Sequence, residues 1–281
     1  MATLIWTGGE SATTKTFTTA ANWGGTAPSN DDTLIINSSS DTIGGAATGL
    51  TGITFRVGSG FTGTIGSSTT HLDLDGPLCE FASGGTAAYI TGTWTDFRIT
   101  GGSASPLFLN LKGNASTAIT TLLASRLSGT VTVGSSAAVT TVQMNGSNVG
   151  TIDLASSITG LANITVTDGT IACASTISGT ASVIGGTLQT SGTSAYPTIE
   201  IDTDGSCDYR SSGTVTTLNI FDGVFTSRDN ETAGFTITTA NNHSGGRLLL
   251  DGALNNATVT NPISMLGGDA SFAVGSTISL G

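Results

Sequence analysis

Over residues 129–281 the chain repeats one short phrase. A few alternating residues close on a bulky apolar residue, a small or acidic one and a glycine, and the chain then sets off again. The phrases end at Gly146, Gly169, Gly186, Gly205, Gly223, Gly252 and Gly268, at successive steps of 23, 17, 19, 18, 29 and 16, about 20 on average. A strand-and-glycine repeat of that period marks a solenoid, in which each turn of chain buries its apolar face only against neighbouring turns. In residues 218–226 a strand runs into Asp222-Gly223 and a second strand follows. That is a corner where one sheet bends into the next: glycine tolerates a left-handed backbone and Asp bonds to the local backbone. An antiparallel meander would use the same Asn-Gly and Asp-Gly turns. The regular period favours the parallel form. The expected fold class is therefore all-β, a single-stranded parallel β-helix (β-solenoid).

Composition agrees with an ordered β protein. Glycine accounts for 40 of 281 residues, while charged residues make up only 10%, against about 25% in an ordinary domain. Serine and threonine supply the polar surface in place of charge. Apolar residues, at 37%, are too many and too regularly placed for disorder. The net charge of −11 and eight scattered basic residues could not neutralise a row of phosphates, so neither nucleic acid nor an anionic membrane is an expected partner. No apolar stretch approaches the length of a candidate membrane span. The opening MATLIWTGGE lacks the basic and apolar regions of a secretory leader, so assembly in the cytoplasm is expected. Cys79, Cys173 and Cys207 are odd in number and spaced unlike any metal motif; they read as small apolar core residues.

From Gly45 to Gly129 the turns are less regular. Residues 53–57, 72–76, 94–99 and 107–111 (the last Leu107-Phe108-Leu109-Asn110-Leu111) alternate as half-buried strands do. Residues 116–127 alone could form a helix, with Ile119, Leu122, Leu123 and Leu127 at suitable spacing, but three early threonines favour a strand.

Residues 1–45 differ from the rest. Trp6-Thr7-Gly8-Gly9 is followed by Ala21-Asn22-Trp23, Pro28 and Asp32-Thr33-Leu34-Ile35-Ile36. A solenoid must cover the open apolar end of its first turn, and large aromatic side chains with a polar edge suit that task. Leu34-Ile35-Ile36 reads as the first fully buried strand. Residues 1–45 are thus expected to be a tryptophan-containing cap and attachment segment, and residues 46–281 a β-helix whose coils follow the same period.

This pattern resembles the N-terminal segment of bacterial and phage β-helix proteins, which autotransporter-like surface proteins and tailed-phage virion proteins carry. The resemblance covers residues 1–36 or so. It implies a way of starting a β-helix and brings no catalytic residue. Residues 271–281 are still strand-like, with no amphipathic helix or charged segment to cover the last coil. Open coil ends invite pairing, so Trp6, Trp23, Phe272, Ile278 and Leu280 are the expected assembly contacts.

Candidate chemistry is sparse. Asp73 and Asp75 share a strand face, Asp202, Asp204 and Asp208 crowd the turn at Gly205, and Asp229 and Glu231 lie in a polar loop. Two carboxyls with divergent pKa values could hydrolyse a polysaccharide. None of these sets has an accompanying cluster of Arg, Lys, Tyr or Trp to hold a sugar, so they read as solvated turn acids. The run 202–208 has its glycine at position four rather than six of a calcium loop. His71 and His243 stand far apart in the chain, without companions at ligand spacing, and read as single surface residues. No catalytic, cofactor-binding or metal residue is therefore assigned, and no cofactor is expected.

The expected function is that of a non-enzymatic structural virion protein of a tailed phage, decorating the capsid exterior. Its expected partners are the major capsid protein or another virion protein and further copies of itself, a trimer being one such state; a host-surface glycan is a further expected ligand. A bacterial surface or adhesin-like protein is the first alternative and a polysaccharide-degrading tailspike-type β-helix the second.

Overall fold

The structure is a computed structural model and describes residues 1–82, 87–101, 107–113, 117–228, 234–252, 257–273 and 276–278. The chain forms two compact units, Met1–Val139 with Gly146–Ile152, and Thr140–Asn145 with Asp153–Gly281. Each is a parallel β-solenoid with two sheets. Most coils give one strand to the first sheet, turn a corner and give one to the second; Ala257–Val259 and Ser264–Leu266 share one place in the first sheet, and Thr64–Ile65 and Leu72–Asp73 one place in the second.

The second unit is the regular one. Its first sheet stacks Asn163–Val166, Thr180–Val183, Tyr196–Ile201, Thr214–Ile220 and Phe235–His243. Ile164, Ala181, Ile199, Leu218 and Ala240 stand in register, one to a coil. Its second sheet aligns Ile171, Leu188, Cys207, Phe225, Leu248 and Ala270 in the same way. All these residues except Ala270 are buried, and each large one contributes about 1.5–3 kcal/mol by leaving water. The outward positions of the first sheet carry Thr180, Thr198, Thr217 and Thr239, also in register. A column of β-branched hydroxyls suits a pleated surface and explains how a chain so poor in charge keeps a polar exterior.

The corners explain the glycine repeat and amend it. Gly169, Gly186, Gly205, Gly223, Gly246 and Gly268 each begin or directly precede a strand of the second sheet. Neighbouring coils pack glycine on glycine there: a Cβ on Gly186 would lie 2.8 Å from the Gly169 oxygen, and one on Gly223 would strike the Gly205 oxygen. Gly223 also has φ +96°, which only glycine adopts easily. The column runs through Gly246, not Gly252. Gly252 follows the second-sheet strand Gly246–Leu250, one corner later. With Gly246 in place the uneven steps of 29 and 16 become 23 and 22.

The first unit is less even. In its first sheet Leu4, Leu34, Phe55, Cys79, Phe97 and Leu122 align, and the step from one to the next varies widely, longest between Leu4 and Leu34 and shortest between Cys79 and Phe97. Its second sheet aligns Ile43, Ile65, Ala88, Leu109 and Val131. One long strand, Ala87–Ile99, serves both sheets, bending at Gly92, whose φ is +121°. Thr117–Ala124 is a strand, as its threonines favour. The first strand of the chain is Thr3–Ile5 rather than the one at Leu34, and Ile35 alternates outward between buried Leu34 and Ile36. Residues 1–45 thus contain coil strands as well as a lid. No α-helix occurs among the described residues; one 3-10 turn spans Ala20–Trp23.

Candidate functional site

The lid of the first unit is built from the long step between Leu4 and Leu34. The extra residues fold back as a loop and a 3-10 turn that place three aromatic rings over the first coil. Trp6 and Trp23 meet edge to face at 5.0 Å, Phe17 meets Trp23 at 5.3 Å, and Phe17 rests on Phe55 at 5.8 Å. Both indole N–H groups are satisfied: Trp6 Nε1 donates to Asp41 Oδ2 at 2.8 Å and Trp23 Nε1 to the Phe17 carbonyl at 2.5 Å. Asn22 is fully buried and ties the loop together; its amide donates to Glu10 Oε2 and to the Thr16 carbonyl, and its oxygen accepts from the Glu10 N–H. Burial works against the charge on Asp41. The hydrogen bonds from Ser39 and Trp6, with Lys15 nearby, outweigh it and hold the carboxyl below its ordinary range. Trp6 and Trp23 are 5% and 2% exposed, so nearly all of their surface is spent within the chain.

The coil of Ala257–Val259, Ser264–Leu266 and Asp269–Phe272 follows the same inward register, but among the described residues part of its inward row meets solvent. Met265 aligns with Asn242, Phe272 with Leu250 and Ile278 with Val259. Asn242, Leu250 and Val259 are buried, whereas Met265 is 45% and Phe272 41% exposed, and Ile278 is half-buried. Leu266, 62% exposed, stands beside Met265. Met265 and Phe272 therefore lie on one exposed coil face, and Ile278 lies one layer beyond them, stacked on Val259 of the same coil; the alternation at Ser264-Met265-Leu266 signals Met265 only weakly. Leu280 lies outside the described residues. Asn242 is the one inward amide in a row that otherwise reads Val166, Val183, Ile201 and Ile220. Its Nδ2 donates to the Asp269 carbonyl at 3.0 Å, pinning the corner that leads into the open coil.

The carboxylates disperse. Asp202 and Asp204 are exposed on the turn before Gly205. Asp208 sits on the next strand, where its Oδ2 accepts from Arg210 Nε at 2.7 Å and from Gln189 Nε2 at 3.2 Å. Asp73 is the last residue of its short strand, and Asp75, beyond it, accepts the Thr93 N–H. Burial and then the charge of Asp75 push the Asp73 carboxyl up, with Lys112 opposing. Asp229 and Glu231 lie outside the described residues. The three cysteines are buried and free, and burial pushes their thiols up, away from the reactive thiolate.

His71 departs from the expected surface position. It is 8% exposed, its Nε2 lies 2.9 Å from Asn110 Oδ1, and its ring meets Tyr89 edge-on at 5.6 Å. The loop that carries it is drawn in over Gly45, where any Cβ would strike the Thr70 carbonyl. His243 is half-buried against Phe221 at 4.8 Å.

The chain matches no protein-family model, no curated protein and no solved structure.

Proposed function

We propose that the protein is a non-enzymatic structural component of a tailed-phage virion, bound to the capsid exterior through its major capsid protein or another virion protein. The observation that carries this reading is the exposed coil face of Met265 and Phe272, with Ile278 one layer beyond. These side chains follow the register of a core yet meet solvent, and rows of that kind mark a protein–protein contact. The resemblance of the tryptophan segment to phage β-helix proteins supports the choice of virion. The dispersal of the acids and the inert buried thiols leave assembly better supported than hydrolysis.

Mass photometry of the purified chain, alone and mixed with capsids of the source phage that lack it, tests the proposal. Binding to capsids that weakens in Met265→Ser/Phe272→Ser is the expected result. A chain that stays monomeric and ignores the capsids overturns it.

A further inference from the structure

We propose that the outer face of the second sheet in the first unit is a binding site for a neutral sugar ring, centred on Phe108. The inference goes beyond the structural role above and does not depend on it.

Two outward columns meet at the site. One runs Thr64, Ala87, Phe108, Thr130, and the other Tyr89, Asn110, Thr132. Between them lies a shallow depression of 340 Å³ lined by Tyr89, Phe108, Leu109, Asn110, Thr130 and Thr132, near the lower bound of about 300 Å³ for small-molecule sites. Phe108 is 54% exposed. It holds a position that the strand's alternation reserves for a polar residue, and small Ala87 in the preceding coil leaves its ring uncovered. The rest of the lining is mostly polar: a phenol, an amide and two hydroxyls.

The amide is held in place by a side chain of the same outward face. His71 is more than nine-tenths buried, and its Nε2 engages Asn110 Oδ1 while its Nδ1 has no partner among the described residues. With the oxygen so occupied, the two Nδ2 donors of Asn110 find no partner among the described residues and remain available. A buried ring nitrogen left unpaired costs stability. Its return is a fixed amide beside an exposed ring, the kind of preorganisation that binding sites use. A flat apolar ring flanked by fixed hydroxyl and amide groups matches a pyranose, which has an apolar face of C–H groups and a rim of hydroxyls. Among the described residues no charged side chain lines the depression, and a net charge of −11 disfavours acidic ligands.

Isothermal titration of the whole chain with glucan, mannan and galactan hexasaccharides, and with polygalacturonate as an acidic comparison, tests the site. At least one neutral hexasaccharide is expected to bind, at least tenfold more weakly to Phe108→Ala, with affinity restored in Phe108→Tyr and unchanged in Phe272→Ala. Asn110→Ala should weaken binding while leaving the fold intact by circular dichroism. Four results would overturn the proposal: no neutral sugar binding at millimolar concentration, equal binding of polygalacturonate, undiminished binding by Phe108→Ala, or self-association that Phe108→Ala abolishes. Because capsid binding is measured separately, loss of one reading leaves the other standing.

Discussion

The coil that begins at Leu4 and the coil that carries Phe272 obey one rule and end differently. Both turn a row of apolar side chains inward in register with the neighbouring coil. At Leu4 the chain takes its longest step, to Leu34, and folds Trp6, Phe17 and Trp23 over that row. From Leu250 to Phe272 the step is that of an ordinary coil, and no lid forms among the described residues. The inward register is thus set by alternation, whereas burial of the row at Leu4 depends on the extra chain of the lid. A closed row is a stability element; an open one leaves apolar surface in water.

The contrast breaks most visibly at the lid. Trp23→Ala should cost about 3–5 kcal/mol, the range for removing a buried aromatic side chain. Urea unfolding would show this as a lower midpoint with an unchanged slope. A loss under about 1 kcal/mol, far below that range, would mean that the rings do not close the coil. Next in size is a corner. A Cβ on Gly205 would strike the Val183 carbonyl, so Gly205→Ala should cost about 1–3 kcal/mol through overpacking, again read from the denaturation midpoint. Smaller still is Phe272→Ala. With 41% of the residue already exposed, its cost should stay near about 1 kcal/mol, a fraction of full burial, and should not vary with protein concentration unless a partner copy covers the face. A concentration-dependent loss comparable to that of Trp23→Ala would show that the open row is closed in solution.

The second unit was legible in the sequence because its coils differ little in length and each corner demands glycine. One corner reads in the sequence as Gly252, since Leu248-Leu249-Leu250-Asp251-Gly252 looks like a phrase ending in the column. The column instead uses Gly246, which follows Ser244-Gly245 and lacks the apolar-acidic prelude. The lid was legible in its tryptophans, but not the fact that Leu4 already pairs with Leu34. A strand as short as Thr3–Ile5 leaves no periodic signal, and its partner lies beyond the whole lid loop. The burial of His71 is illegible for a related reason: it comes from a loop packed over Gly45, and close backbone approach carries no pattern along the chain. Phe108 was in plain view in Leu107-Phe108-Leu109-Asn110-Leu111. Its anomaly lay in being apolar where the alternation calls for polar.

The smallest effect concerns acid. Asp32 in the lid region is 2% exposed. Burial opposes its charge, but hydrogen bonds from the Ala2 N–H and from the Ser29 N–H and hydroxyl outweigh this and hold its pKa below the ordinary value. Asp251 in the second unit faces solvent more freely. The bidentate Arg228, at 2.6 and 2.7 Å, lowers its pKa to about 2. Both carboxyls are depressed on folding, so each stabilises the fold above its unfolded pKa of about 3.9. That contribution fades as pH falls through the folded value. Stability should therefore decline below about pH 4, and for Asp251 the decline should be complete only below its folded value of about 2. Asp32→Asn should remove more of this acid sensitivity than Asp251→Asn, because the Arg228 pair is exposed and screened by salt. Thermal melts at pH 3 and pH 6, with and without about 0.5 M salt (about a 4 Å screening length), separate the two. The Asp251 contribution should shrink with salt more than that of Asp32, which is held mainly by neutral hydrogen bonds with the N-terminal ammonium 3.8 Å away; an equal salt response would mean that the lid is open to water.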